Sequence, residues 1–277
     1  DDARKVVTRA HECSKSWLKA ETRQNAKECA GVVKKQEDFS NLAHQHAHRM
    51  TFAERAIKFF STLDLQVPLP EGVSAMNPYK NPEVMQIVTA FFEKFFNDEN
   101  RRIFVFGINP GRYGGGLTGI AFTDPVALHK HLGIHTSLKG QREPSSIFIY
   151  DFIESMGGAE KFYSKFYFTS LSPIGFTKDG KNFNFYDDKS FAEALRPFIV
   201  QSIVEQLKFG AVTRTAICLG TGEIYKFFRS LNHAENFFEE ILPVEHPRFI
   251  VQYKRSRMHH YLLKYHEAFE AALKLVS

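Results

Sequence analysis

Residues 101–122 read RRIFVFGINPGRYGGGLTGIAF. The apolar run IFVF is too short for a helix and lacks the alternation of a half-exposed strand. It has the pattern of a strand buried on both faces in a parallel sheet. The chain then enters a segment, 107–122, in which six of sixteen residues are glycine and one is proline. In a parallel α/β fold, ligand sites form just beyond the carboxyl ends of the strands. The segment is neither GxGxxG nor GxxxxGK[ST], so the dinucleotide and P-loop readings fail. On its residues alone it is equally a tight strand-to-helix crossover, with Asn109-Pro110-Gly111 as a turn.

The flanking sequence supports an alternating α/β order. TFAERAIKFFSTL (51–63) and EVMQIVTAFFEKFF (83–96) carry apolar residues at helical spacing, with the Pro-rich PLPEGVSAMNPYKNP (68–82) as a loop between them. TDPVALHKHLG (123–133) starts a helix, with Thr123 or Asp124 as N-cap and Pro125 in the first turn. SSIFIYDFIES (145–155), KFYFTSLSPIGF (165–176) and TRTAICLG (213–220) are strand-like. A helical pattern over 187–209 precedes the last of these, and GTGEIYKFFRSL (220–231) turns into another helix. EEILPVEHPRFI (239–250) gives a short strand and a loop, and 256–276 closes as a long helix. This order predicts a three-layer α/β/α fold with a mostly parallel central sheet. Asn109, Ser170, Gly220 and His246 each fall just past a strand candidate.

Composition sets limits. With 277 residues, the chain is long enough for one large α/β domain or two small ones. There is no apolar run of about 18 residues, so no membrane span is expected. The stretch DDARKVVTRAHECSKSWLKAE (1–21) lacks the apolar core of a signal peptide. Cys13, Cys29 and Cys218 are too few for a disulfide scaffold or a four-thiolate cluster. A reducing, cytoplasmic setting is expected. The net charge of +5 is compatible with nucleic acid without establishing it. Of the 28 Phe, most are expected in the core, leaving some rings for stacking on a ligand. Residues 1–46 differ from the rest: polar, helix-prone, with Trp17, and running into HQHAHRM (44–50). They read as a natural extension, a helical appendage or an appended leader, with the globular domain over 47–277. No metal role is expected of the His cluster, and no cofactor of the domain.

The segment 107–122 resembles the first motif of the uracil-DNA glycosylase superfamily, nearest its single-strand-selective monofunctional (SMUG) branch. It shares G-x-N-P-G, a Gly-containing stretch, T-G, an apolar pair and Phe, with the same interval from Asn109 to Phe122. SLSPIGFTKDGKNF (170–183) resembles that branch's C-P-L and G-K-N segment, and VEHPRF (244–249) the His-Pro motif ahead of a helix. The departures place the chain in a divergent, second SMUG-like group. The resemblance implies a monomeric DNA glycosylase acting on uracil and other deaminated bases.

It also implies roles. Asn109 positions the attacking water, and His246 donates to the base oxygen as charge builds. An amide is a poor general base, so little pH dependence is expected from this position. Gly107, Ile108, Pro110, Gly111, Tyr113, Gly116, Phe122 and Ser170 form the base pocket, with Phe122 stacked on the flipped base and the glycines allowing close approach. Ser170 stands where the family has a base-reading Asn. A hydroxyl offers no fixed bidentate pair, so xanthine and hypoxanthine become candidate substrates beside uracil. Arg112, Arg248, Phe249, Tyr253, Lys254, Arg255 and Arg257 suit DNA contact, the last six in a basic, aromatic loop. Gly220, Thr221 and Gly222 open a helix whose N–H groups could take a phosphate.

The residues leave bland alternatives in place: a hydrogen-bonded strand-end histidine, a core Phe122, a solvated basic turn and a Gly turn made for packing. Two rival functions also stand, a damage-binding module without catalysis and a metal-dependent nucleotide enzyme. The second would need acidic residues, yet Asp124, Asp187 and Asp188 read as helix caps. No lysine matches a Schiff-base position of the family, so strand cleavage is not expected.

Overall fold

The computed structural model describes residues 49–276. Cys13, Trp17, Cys29 and the histidines at 44, 46 and 48 lie outside them. Two helices open this part, α1 (Phe52–Thr62) and α2 (Pro82–Phe96). Both are capped as their sequences direct. Thr51 forms a capping box with Glu54, and Asn81 caps α2 with Pro82 in its first turn.

The central sheet has four strands in the order β3-β2-β6-β7, all parallel. They are β2 (Arg102–Gly107), β3 (Phe166–Ser170), β6 (Ala211–Leu219) and β7 (Glu240–Val244). Every residue of β2 and β3 is buried, as strands covered on both faces must be. The register aligns Gly107 with Ser170, and Leu219 with Val244. The four strands therefore end at one edge. That edge receives Asn109, Ser170, Gly220 and His246.

Alternate residues of the strands point to two aromatic layers. On one face Phe104 meets Tyr167 at 4.9 Å, and both pack on Phe52 of α1. Phe106 meets Phe228 of α8 (Glu223–Glu235) on the same side. On the other face Phe166 meets Phe269 of α10 (Met258–Val276) at 4.8 Å, and Phe168 stacks on Phe162 of α6 (Ala159–Tyr163). Helices thus cover both faces, giving the α/β/α arrangement.

Three details depart from the sequence reading. SSIFIYDFIES is not a strand but helix α5 (Pro144–Ser155). Ser145, Ser146, Phe148, Ile149, Tyr150, Phe152 and Ile153 are all buried, and the exposed polar face is confined to Asp151, Glu154 and Ser155 in the last turns, which leaves the first half without a polar stripe. Pro144 in its first turn and its twelve-residue length were the available signals. The Pro-rich 68–82 segment is not all loop, because it contains strand β1 (Val73–Met76). This strand joins β4 (Gly175–Lys178) and β5 (Lys181–Phe183) in a second, antiparallel sheet. Finally, the basic stretch after His246 is helical: α9 (Pro247–Tyr253), then a 3-10 turn over Arg255–Arg257. Among the expected caps, Asp124 caps α4 (Pro125–Leu132) and Asp188 caps α7 (Lys189–Leu207), while Asp187 closes a capping box with Asn184.

At the opposite edge of the sheet Arg102 is fully buried. It forms a two-pronged pair with Asp98 (2.7 and 2.8 Å), donates to the Tyr163 carbonyl and lies over Phe96. Removing the partner of a buried cation costs about 3–5 kcal/mol. Because Asp98 is 37% exposed, the lower end is expected. Asp98→Ala should lower unfolding stability by about 3 kcal/mol in a urea titration, with the slope of the transition unchanged.

Candidate active site

A cavity of about 270 Å³ opens where the strands end. Its lining includes Ile108, Asn109, Pro110, Gly111, Phe122, Ser170, His246, Arg248, Phe249 and Tyr253. These residues lie far apart in the chain, and the sheet register brings them together. Asn109 donates Nδ2 to the Phe183 carbonyl at 3.2 Å. Its Oδ1 is buried and has no protein partner. The amide is therefore oriented, with an acceptor left for something in the cavity.

His246 caps α9, and its Nδ1 accepts the Arg248 backbone N–H at 3.1 Å. That bond leaves Nε2 as the protonated nitrogen of the neutral ring. Burial, and secondarily the Arg248 guanidinium, pull the imidazole pKa down to about 4. His246 is thus a neutral donor at physiological pH.

Phe122 has a left-handed backbone, φ 56°, and packs edge-on to Phe168 at 5.6 Å, with the His246 ring 6.1 Å away. Gly107 makes this placement possible. A Cβ there would stand 2.5 Å from Phe122 Cζ. Gly107 thus sits behind the ring and does not line the cavity. Gly116 is also away from it, in the short helix α3 (Gly115–Thr118), where a Cβ would strike the Gly111 carbonyl at 2.8 Å. Ser170, at the end of β3, is buried and on the lining.

Other expected residues fall beside the cavity. Tyr113 and Arg112 line a neighbouring hollow of about 480 Å³ with Arg142, Lys181 and Arg248. The Arg112 guanidinium lies 4.4 Å from the Tyr113 ring centroid and donates to the Gly180 carbonyl. Lys254, Arg255 and Arg257 follow α9 outside the lining, with Lys254 Nζ 5.7 Å from the Phe249 ring. Thr221 and Gly222 form an exposed turn that does not reach the cavity, and Gly220 N–H is taken by the Val244 carbonyl at 2.6 Å. Among the described residues, no group of three His, Cys, Asp or Glu is placed to hold a metal ion. No described helix is long and apolar enough to cross a membrane.

Several lining residues escaped the sequence reading: Glu143, Ser145, Asn182, Asn184 and Tyr186. Asn182 accepts the Arg112 backbone N–H at 3.0 Å. It sits in the β4–β5 hairpin, whose turn residues Asp179 and Gly180 both have positive φ. The Asp-Gly dipeptide was a legible hairpin signal. Glu143 precedes α5, and burial followed by the Asp124 charge pushes its pKa up to about 7, against the opposing Arg248.

Comparison with known proteins adds independent findings. Residues 93–273 match the family model described as the uracil DNA glycosylase superfamily. The chain is similar to the crystal structure of wild-type Pedobacter heparinus SMUG2, with 44% identity and a TM-score of 0.79, covering 82% of this chain and 100% of that one. No curated protein matches it.

The His246 geometry can be checked directly. Imidazole NMR should show an Nε2-protonated neutral ring at pH 6 that titrates near pH 4. Arg248→Ala, by removing a cation that disfavours the imidazolium, should raise that value.

Proposed function

The chain belongs to the uracil-DNA glycosylase superfamily, and we propose that it is a monofunctional enzyme of base excision repair that removes uracil, and also xanthine and hypoxanthine, from DNA. The observation that carries this reading is the oriented Asn109 amide, with its buried, unpartnered Oδ1 in the same cavity as a neutral His246 donor.

A base within a duplex cannot be reached, so the nucleotide swings out into the cavity. Near 270 Å³, the cavity is at the low end of ligand pockets (about 300 Å³), suited to one nucleotide's base rather than a longer segment. Phe122 stacks on the base, a contact worth roughly 1–3 kcal/mol. Asn109 Oδ1 holds a water against the sugar. As the N-glycosidic bond breaks, negative charge develops on the base, and His246 Nε2–H donates to it. A neutral donor in a dehydrated site needs no reorganisation at that moment. The cavity lining contains no lysine, which supports hydrolysis by water over a Schiff base.

Ser170 widens the substrate range. Its rotatable hydroxyl does not impose one donor–acceptor pattern on the base edge. Phe249 is 40% exposed and Tyr253 71%, and these rings meet at 5.7 Å beside the cavity mouth. With Arg248 and Lys254 they suit contact with bases and phosphates of the flanking strand. The protein acts as a monomer without a metal or cofactor.

The test uses oligonucleotides carrying a single uracil, xanthine or hypoxanthine, incubated in EDTA and then treated with alkali to cut abasic sites. Uracil release is expected, falling about 10²–10³-fold in Asn109→Ala and in His246→Ala. Activity that requires added metal would sink the mechanism. Ser170→Asn should favour uracil over xanthine by about tenfold relative to the parent, a difference of roughly 1.4 kcal/mol. Equal loss on all three bases would show that Ser170 does not read the base.

A further inference from the structure

The water that adds to the sugar must shed a proton that none of the residues assigned above can take. When water adds to C1′ of the sugar, its oxygen forms the new bond. The C1′–N bond breaks and its electron pair leaves with the base. The former water must shed one proton. Asn109 is a neutral amide and a poor base. His246 has its Nδ1 lone pair engaged by the Arg248 N–H, and its Nε2 already carries a proton. The remaining polar side chains on the lining are amides, hydroxyls, phenols and a guanidinium, with one carboxyl among them, Glu143.

The carboxyl of Glu143 is directed away from its own helix. Glu143 is the residue just before α5, a place where a short side chain such as Asp or Ser would bond the helix's own N–H groups. It makes no such cap. Its backbone N–H is fixed by Asp124 Oδ2 at 2.9 Å, and the carboxyl turns onto the segment that follows Asn109. A Cβ on Gly111 would come within 2.5 Å of Glu143 Oε1, and one on Gly114 would overlap Oε2. The glycines of the opening motif thus leave room for a carboxyl from a distant helix. No hydrogen-bond donor figures among the groups that set its protonation.

We infer that Glu143 is the base of the reaction, taking the proton of the water held by Asn109. The inference rests on the glycosylase reading. Water oxygen bonds to C1′, the water proton passes to a Glu143 carboxylate oxygen, and the base departs as an anion toward His246 Nε2–H. Glu143 then passes its proton to solvent, and the departed base anion takes one up from solvent, so the protons balance.

The charged groups around Glu143 are Asp124 at the start of α4 and Arg248 on α9. Arg112, Arg142 and Lys181 face it across the neighbouring hollow. Burial first, then Asp124, brings its pKa up to about 7, with Arg248 opposing. The working form is the carboxylate. Activity is therefore present above this pKa and lost as pH falls through it. His246 stays neutral over the same range and adds no limb of its own.

The experiment is single-turnover uracil release from an oligonucleotide between pH 5.5 and 9, for the parent and for E143Q, E143D and R248A. The parent rate should rise about tenfold per pH unit and level off near neutrality. E143Q should lose the rising limb and fall at least tenfold below the parent at pH 8, while binding of the uracil oligonucleotide, read by fluorescence anisotropy, is retained. E143D should keep a rising limb. R248A should move that limb to higher pH, since a cation that favours the carboxylate is gone. If E143Q misfolds, as a thermal melt would reveal, E143D and R248A carry the test. A parent rate flat across this range overturns the inference, as does an E143Q rate reduced by one factor at every pH. A parent that releases no uracil at any pH instead overturns the glycosylase reading itself.

Discussion

The hydrogen bond from Asn109 Nδ2 to the Phe183 carbonyl decides the polarity of the whole cavity. An amide offers a donor end and an acceptor end, and a free one turns either way. Here the donor end is spent, so the acceptor faces the cavity. Phe183 lies outside the parallel sheet, in a hairpin fixed by an Asp-Gly turn. The same hairpin binds the Arg112 N–H through Asn182 and pairs with β1. The small antiparallel sheet is thus a brace for the loop after β2. Without it, the parallel sheet would deliver Asn109 to the right edge but leave its orientation open.

Two ionisable groups on the lining are moved in opposite directions by one cause. Burial disfavours charge of either sign, lowering an imidazole pKa and raising a carboxyl one. His246 goes down to about 4 and Glu143 up to about 7. Arg248 then acts on both in the same sense, helping to keep His246 neutral and limiting the rise at Glu143. One exposed guanidinium therefore helps hold an imidazole and a carboxylate in the forms that the proposed hydrolysis would use, while its own side chain is steadied by Gln252 at 3.2 Å.

Legibility in the sequence followed the range of the interaction. IFVF announced a doubly buried strand. Asn109, Ser170 and His246 were singled out because each falls at or just past the end of a strand and matches a motif position of the family the chain resembles. Asp124 and Asp188 were read as caps because capping is local. The 145–155 segment was misread because its first half is almost wholly buried, and its exposed polar residues, Asp151, Glu154 and Ser155, come only in the last turns. Glu143 left no trace, since its partners Gly111, Gly114, Asp124 and Arg248 meet it only through tertiary packing. The glycines were noticed as room for a base, and the structure adds protein neighbours that the sequence did not show. Gly107 makes way for Phe122, and Gly111 and Gly114 for Glu143, so their lack of side chains also serves the protein's own groups.

His246 belongs to two systems at once. It is the first residue of the bond pattern that starts α9, and α9 carries Phe249 and Tyr253 out to the mouth. The bond that closes the helix is the one that assigns the imidazole proton to Nε2. A strand that seats poorly against the two rings and tilts the short helix would loosen that bond and leave the proton free to migrate to the wrong nitrogen. On the proposed mechanism, the seating of the strand and the protonation of the imidazole would then be coupled through one helix start.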